Sequence, residues 1–131
     1  MASTFKFDLV SPERVLLSAA AEQAVLPGVD GQFTVLPGHA PVVSALMPGV
    51  IHVTLTNAKK AVFVKGGFVE INPESVTVLA AHAFVLDEVD PRQLDAELSA
   101  AETALAAEKD DEALRHVSRA IEELKALRKT G

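Results

Sequence analysis

Near Asp87 to Asp90 the chain changes its hydrophobic period, and no single element can carry both periods. Before that point apolar and polar residues alternate. Phe5, Phe7 and Leu9 are separated by Lys6 and Asp8, Phe33 and Val35 flank Thr34, and Ile51, Val53 and Leu55 enclose His52 and Thr54. Val76 and Val78 alternate with Ser75 and Thr77 in the same way. Such alternation marks strands with one buried face. Turn-forming residues separate the runs: Ser11-Pro12-Glu13, Pro27-Gly28, Asn57 to Lys60, Gly66-Gly67 and Asn72-Pro73-Glu74. Many short strands at this spacing predict a sandwich or flattened barrel. The segment Arg14 to Val25 stays open between strand and helix, because its alanines and leucines favour a helix by propensity alone.

Beyond the boundary the period is about 3.6. Asp90 suits an N-cap and Pro91 the first helical turn, where a missing amide does no harm. Leu94, Leu98, Ala101 and Leu105 then recur on one helical face. A polar break, Glu108-Lys109-Asp110-Asp111, precedes a second stripe of Leu114, Val117, Ile121 and Leu124, flanked by Ala113, Ala120 and Leu127. Two stripes joined by a few residues predict an antiparallel helical hairpin whose alanines allow close approach. Composition shifts at the same place: all six Phe lie between Phe5 and Phe84, and Arg92 to Thr130 contains no Gly, Pro, Phe, Tyr or Trp. The expected organisation is α+β, with domains at 1–87 and 88–131.

Charge narrows the function. A net charge of −6 over 131 residues argues against a free-standing nucleic-acid binder, which needs a basic face. No run of apolar residues is long enough to span a bilayer, and Met1 to Lys6 shows no basic-then-apolar leader, so a soluble cytoplasmic chain is expected. The absence of cysteine removes disulfides and thiolate metal sites. His39, His52, His82 and His116 form no HExxH and no i, i+4 pair, so no metal is expected, and His52 falls on the exposed phase of its run. Neither a GxSxG nor a P-loop is present, and Gly28-Val29-Asp30-Gly31 lacks the lysine and helix start of a phosphate cradle. No catalytic residue stands out, and an enzyme is not expected. Within the helical segment, Asp90 to Glu112 carries eight acidic residues against two basic ones, whereas Ala113 to Gly131 carries five basic against two acidic.

One stretch is more specific than all of these. Pro27-Gly28-Val29-Asp30-Gly31-Gln32-Phe33-Thr34-Val35-Leu36-Pro37-Gly38-His39-Ala40-Pro41, followed by Pro48-Gly49, resembles the signature of the epsilon subunits of F-type ATP synthases, called delta in mitochondria. Val10-Ser11-Pro12-Glu13, Gly66-Gly67-Phe68-Val69-Glu70 and Val76-Thr77-Val78-Leu79-Ala80 extend the resemblance along the chain. Thr34 stands where the family usually has glycine.

The resemblance implies a flattened ten-stranded β-sandwich followed by a C-terminal two-helix hairpin, and it recasts Arg14 to Val25 as strand. It implies a rotor part of the central stalk that couples proton-driven rotation of the c ring, through γ, to ATP synthesis in the α/β head. Leu36, Pro37, Gly38, His39, Ala40, Pro41 and Val42 are similar to the segment that packs on the γ subunit. Gly28, Val29, Asp30, Gly31 and Gln32 are similar to the loop that meets the c-subunit ring. Arg115, Arg119, Lys125 and Arg128 are the basic residues that would reach β when the hairpin extends and opposes ATP hydrolysis. Members that bind ATP on the hairpin carry Ile/Leu-Asp-x-x-Arg-Ala. Here Val89-Asp90-Pro91-Arg92-Gln93-Leu94 places arginine one residue early, a rotation of about 100° about the helix axis. Asp90 and Arg92 are therefore what remains of an ATP site, and no cofactor is expected. The implied location is the cytoplasmic face of the bacterial inner membrane, peripheral and held only through the complex. A free-standing ligand-sensing module with the same fold is the alternative.

Overall fold

Every alternating run becomes a strand, and both apolar stripes become helices. The computed structural model describes residues 4–88 and 90–130. It contains β1 (Phe5–Val10), β2 (Val15–Gly28), β3 (Gly31–Val35), β4 (Val42–Leu55), β5 (Lys59–Ile71), β6 (Ser75–Leu79) and β7 (Ala83–Val85). A 3-10 turn at Leu86–Glu88 precedes α1 (Pro91–Ala107) and α2 (Asp111–Thr130). The chain divides into two compact units, Met1–Asp87 and Glu88–Gly131.

In the first unit the sheet order is β1-β6-β5-β4-β2-β3, and β7 pairs with β5. Because β1 also pairs with β2, five of these strands return to their starting point as a flattened barrel, which removes most open edges. All the pairings are antiparallel except β1 with β6, where Phe7 lies against Val76 and Leu9 against Val78. Those four side chains are fully buried and lie in a core with Leu26, Leu46, Ile51, Val69 and Ile71. Burial of each large apolar side chain stabilises by about 1.5–3 kcal/mol relative to exposure.

Seven strands are present among the described residues where the resemblance implies ten. The physical reason is continuity. β2 pairs with β1 through its first half and with β3 through its second, and β5 pairs with β7 and then with β6. A long strand that changes partner midway serves both layers without a break. In β5 the buried set shifts from Val62 and Val64 to Val69 and Ile71, a change of phase across Gly66-Gly67. Gly67 has a φ of +148°, and a Cβ there would overlap the carbonyl oxygen of Leu79. Only glycine allows this crossing.

The segment whose propensity left two readings open is strand. Ala21, Ala24 and Leu26 of β2 are fully buried, and tertiary pairing on both sides overrides helix propensity.

In the second unit the caps form as their chemistry predicts. The Asp90 carboxylate accepts the Gln93 amide at 2.9 Å, with Pro91 in the first turn of α1. The polar break supplies the second cap, since Asp110 accepts the Ala113 amide at 3.1 Å. Leu98 and Ala101 of α1 and Ala120, Ile121 and Leu124 of α2 are buried, all on the predicted stripes or their alanine flank.

Candidate functional site

Two loops and one sheet face make up the candidate surface of the sandwich. Pairing of Gly28 with Gly31 leaves Val29-Asp30 as a two-residue turn between β2 and β3. Pro27 and Gly28 are buried beneath it, while Val29, Asp30, Gly31 and Gln32 are exposed. Val29 is 61% exposed, a large apolar side chain at the very tip of a hairpin. The residues expected to meet a c ring are therefore brought together, with Gly28 as their buried support.

The second loop, Leu36 to Pro41, joins β3 to β4. The His39 amide donates to the Leu36 carbonyl at 3.2 Å and closes the turn. Gly38, at a φ of +84°, donates its amide to the Pro73 carbonyl at 2.8 Å, which ties the loop to the turn between β5 and β6. A non-glycine residue there would adopt a left-handed conformation at a cost of about 1 kcal/mol or more. Pro37 and Pro41 restrict the backbone further. The result is a pre-set surface with Leu36 and Val42 about half exposed (53% and 43%) and His39 half-buried.

Sequence reasoning missed a third feature. Strand register aligns Ala45 of β4 with Phe68 of β5, Phe68 with Leu79 of β6, Leu79 with Val10 of β1, and Val10 with Val15 of β2. Phe68, Leu79 and Val15 are 59%, 52% and 58% exposed, and Val43, two residues before Ala45, is 69% exposed. An apolar row from Ala45 to Val15 thus crosses five strands on the outer face, with Val43, in register with Glu70, beside its first residue. The neighbouring row carries polar groups, among them Glu70, Thr77, Asp8 and Ser18, whose hydroxyl donates to Asp8 at 2.5 Å. A contiguous apolar strip rimmed by polar residues is the mark of an interaction surface. Its signal in the sequence was an apolar residue at each polar phase, visible only once the register is known.

On the hairpin, Arg115 and Lys125 are exposed, and Arg119 pairs with Glu123 of its own helix at 3.3 Å. The side chain of Arg128 lies outside the described residues. Asp90 is engaged as the helix cap, and Arg92 is exposed in the first turn of α1. Among the described residues no group of three or more His, Cys, Asp or Glu side chains is arranged to hold a metal.

Residues 4–85, the whole sandwich, match the family described as ATP synthase, Delta/Epsilon chain, beta-sandwich domain. The chain belongs to this family. It is similar to the ATP synthase epsilon chain of Parvibaculum lavamentivorans, with 40% identity over 131 residues and 99% of each chain covered. The ATP synthase epsilon chain of Brucella anthropi is 44% identical over 106 residues, covering 80% of this chain and 78% of that one. Among solved structures, a chain of the Euglena gracilis mitochondrial ATP synthase (OSCP/F1/c-ring, rotational state 1) has a TM-score of 0.71 at 22% identity, covering 97% of this chain and 81% of its own length. A chain of the Tetrahymena thermophila mitochondrial ATP synthase central stalk and c ring has a TM-score of 0.67 at 11% identity, covering 96% and 97%. At those identities the likeness is one of fold, and it includes the two helices beyond the family match.

Proposed function

We propose that the chain acts as the epsilon subunit in the central stalk of an F-type ATP synthase, a non-catalytic rotor part on the cytoplasmic face of the inner membrane. The observation that carries this is the apolar row Ala45, Phe68, Leu79, Val10 and Val15 on the outer face, with exposed Val43 beside it on the strand that follows the proline-stiffened turn Leu36–Val42. A rotor part must transmit torque, so it needs a stiff body with a face for γ and another for the ring. The closed sandwich supplies the body. The apolar row and turn are the γ face, and the exposed tip Val29–Gln32 is the face for the c ring, where Asp30 pairs with a basic side chain. Two prolines and a closed turn lower the entropy lost on docking. The chain needs no cofactor of its own, and the Asp90 carboxylate does helix capping rather than nucleotide binding.

The hairpin reaches the α/β head only when it extends, through Arg115, Arg119, Lys125 and Arg128. The acidic first helix offers those charges a competing partner, and the alanine-rich seam between the helices favours the closed hairpin. Deletion of Ala113 to Gly131 is therefore expected to raise ATP hydrolysis by the complete enzyme less than about tenfold, a bias under roughly 1.4 kcal/mol.

Co-purification from membranes tests the reading. Tagged chain should bring down γ and c, and should still do so after truncation following Glu88. His39→Asp with Val42→Asp places charge in a desolvated surface and should abolish capture of γ while the isolated chain stays folded. Failure of the unaltered chain to capture γ and c would favour the free-standing ligand-sensing module instead.

A further inference from the structure

The turn Leu36–Val42 is poor in polar groups, and those it has are mostly engaged. Pro37 and Pro41 have no amide hydrogen. The amides of Gly38 and His39 donate to Pro73 and Leu36. The only polar side chain in the segment is His39. Its Nδ1 lies 2.8 Å from the carbonyl oxygen of Ala40. A carbonyl can only accept, so Nδ1 carries the hydrogen, and in the neutral ring Nε2 is left with a lone pair and no proton. No buried side-chain polar atom among the described residues lacks a partner. Among the described residues Nε2 of this half-buried residue has no hydrogen-bond partner, and it is open to solvent.

We propose that His39 Nε2 is a fixed hydrogen-bond acceptor on the docking surface, and that the partner supplies an N–H or O–H donor opposite it. The inference rests on the reading of this turn as the face for γ. It makes His39 a specificity-determining residue. Docking would take Nε2 out of water, so a partner lacking the donor would leave it buried and unsatisfied. The hydrogen bond to Ala40 sets the tautomer and the ring orientation, so the acceptor is presented before any partner arrives.

Two measurements on the full chain test this. Long-range proton–nitrogen NMR at a pH where the ring is neutral should show His39 protonated at Nδ1, and an Nε2-protonated ring would overturn the proposal. Binding to purified γ should then separate two substitutions. His39→Gln can place an amide oxygen near the Nε2 position but loses the Nδ1 donor, and should bind within about twofold of the unaltered chain. His39→Asn keeps a donor near Ala40 but leaves the Nε2 position empty, and should bind roughly three- to tenfold more weakly, the effect of one neutral hydrogen bond. The reverse order, with Asn the better replacement, would show that His39 only holds the turn. Absence of binding by the unaltered chain would overturn the assignment of the turn to γ itself, a result distinct from either order of the two variants.

Discussion

The sandwich and the hairpin are held together by different physics. Sandwich contacts join residues far apart in the sequence, as where Lys6 to Val10 pairs with Ser75 to Leu79. Hairpin contacts are mostly local: a cap three residues away, an ion pair at i, i+4, and two helices joined by a short polar break. Their cores differ as well. Among the described residues, only Leu124 of the twelve largest fully buried side chains belongs to the hairpin, and the others, Phe7 and Phe63 among them, are in the sandwich. Long-range pairing gives an all-or-none body, whereas a local structure with a thin seam can open without a large loss of burial. One short chain thus carries a stiff part and a yielding part.

Four substitutions should sharpen or break this contrast, from the largest effect to the smallest. Phe7→Ala removes a side chain with no exposure from the meeting of β1 and β6, and should lower stability by about 3–5 kcal/mol in chemical denaturation. The same loss is expected in a chain truncated after Glu88. A much smaller loss in the truncated chain would show that the sandwich is not an independent cooperative unit. Leu124→Ala should destabilise the hairpin by about 2–3 kcal/mol, seen as lost helical circular dichroism and faster amide exchange in α1 and α2. Retention of full helicity would mean that the seam is stronger than its burial suggests.

Asp90→Ala removes the acceptor of the Gln93 amide and should weaken α1 by about 1 kcal/mol, with the first-turn amides exchanging sooner. Arg119→Ala breaks a partly exposed pair with Glu123 and should change stability by less than about 0.5 kcal/mol. A large effect there would show that α2 relies on its charges rather than on its apolar stripe. For the three hairpin substitutions amide exchange across β1 and β6 serves as the internal reference for the sandwich.

How far the sequence could be read follows from the same contrast. The helix start at Asp90-Pro91, the break at Glu108 to Asp111 and the buried stripe ending in Leu124 are all decided within a few residues, so they were legible in advance. The Leu36–Val42 turn was legible too, since its prolines and glycine act on their own backbone. The strand assignment of Val15–Gly28 was legible only through the family resemblance, because its alanines prefer a helix until β1, β3 and β4 pair with them. The partner change that makes long strands of β2 and β5 was not legible.

By itself the sequence determined the two periods, the boundary between them, the caps, the turns and the motif that announces the family. Tertiary structure alone decided the parallel pairing of β1 with β6, the crossing at Gly67 and the apolar row through Ala45, Phe68, Leu79, Val10 and Val15. The reason is register. Adjacent side chains in a strand point to opposite faces, so a slip of one residue would bury Phe68 and expose Val69. No local preference sets that choice. It is made when the whole core, from Phe7 to Ile71, closes at once.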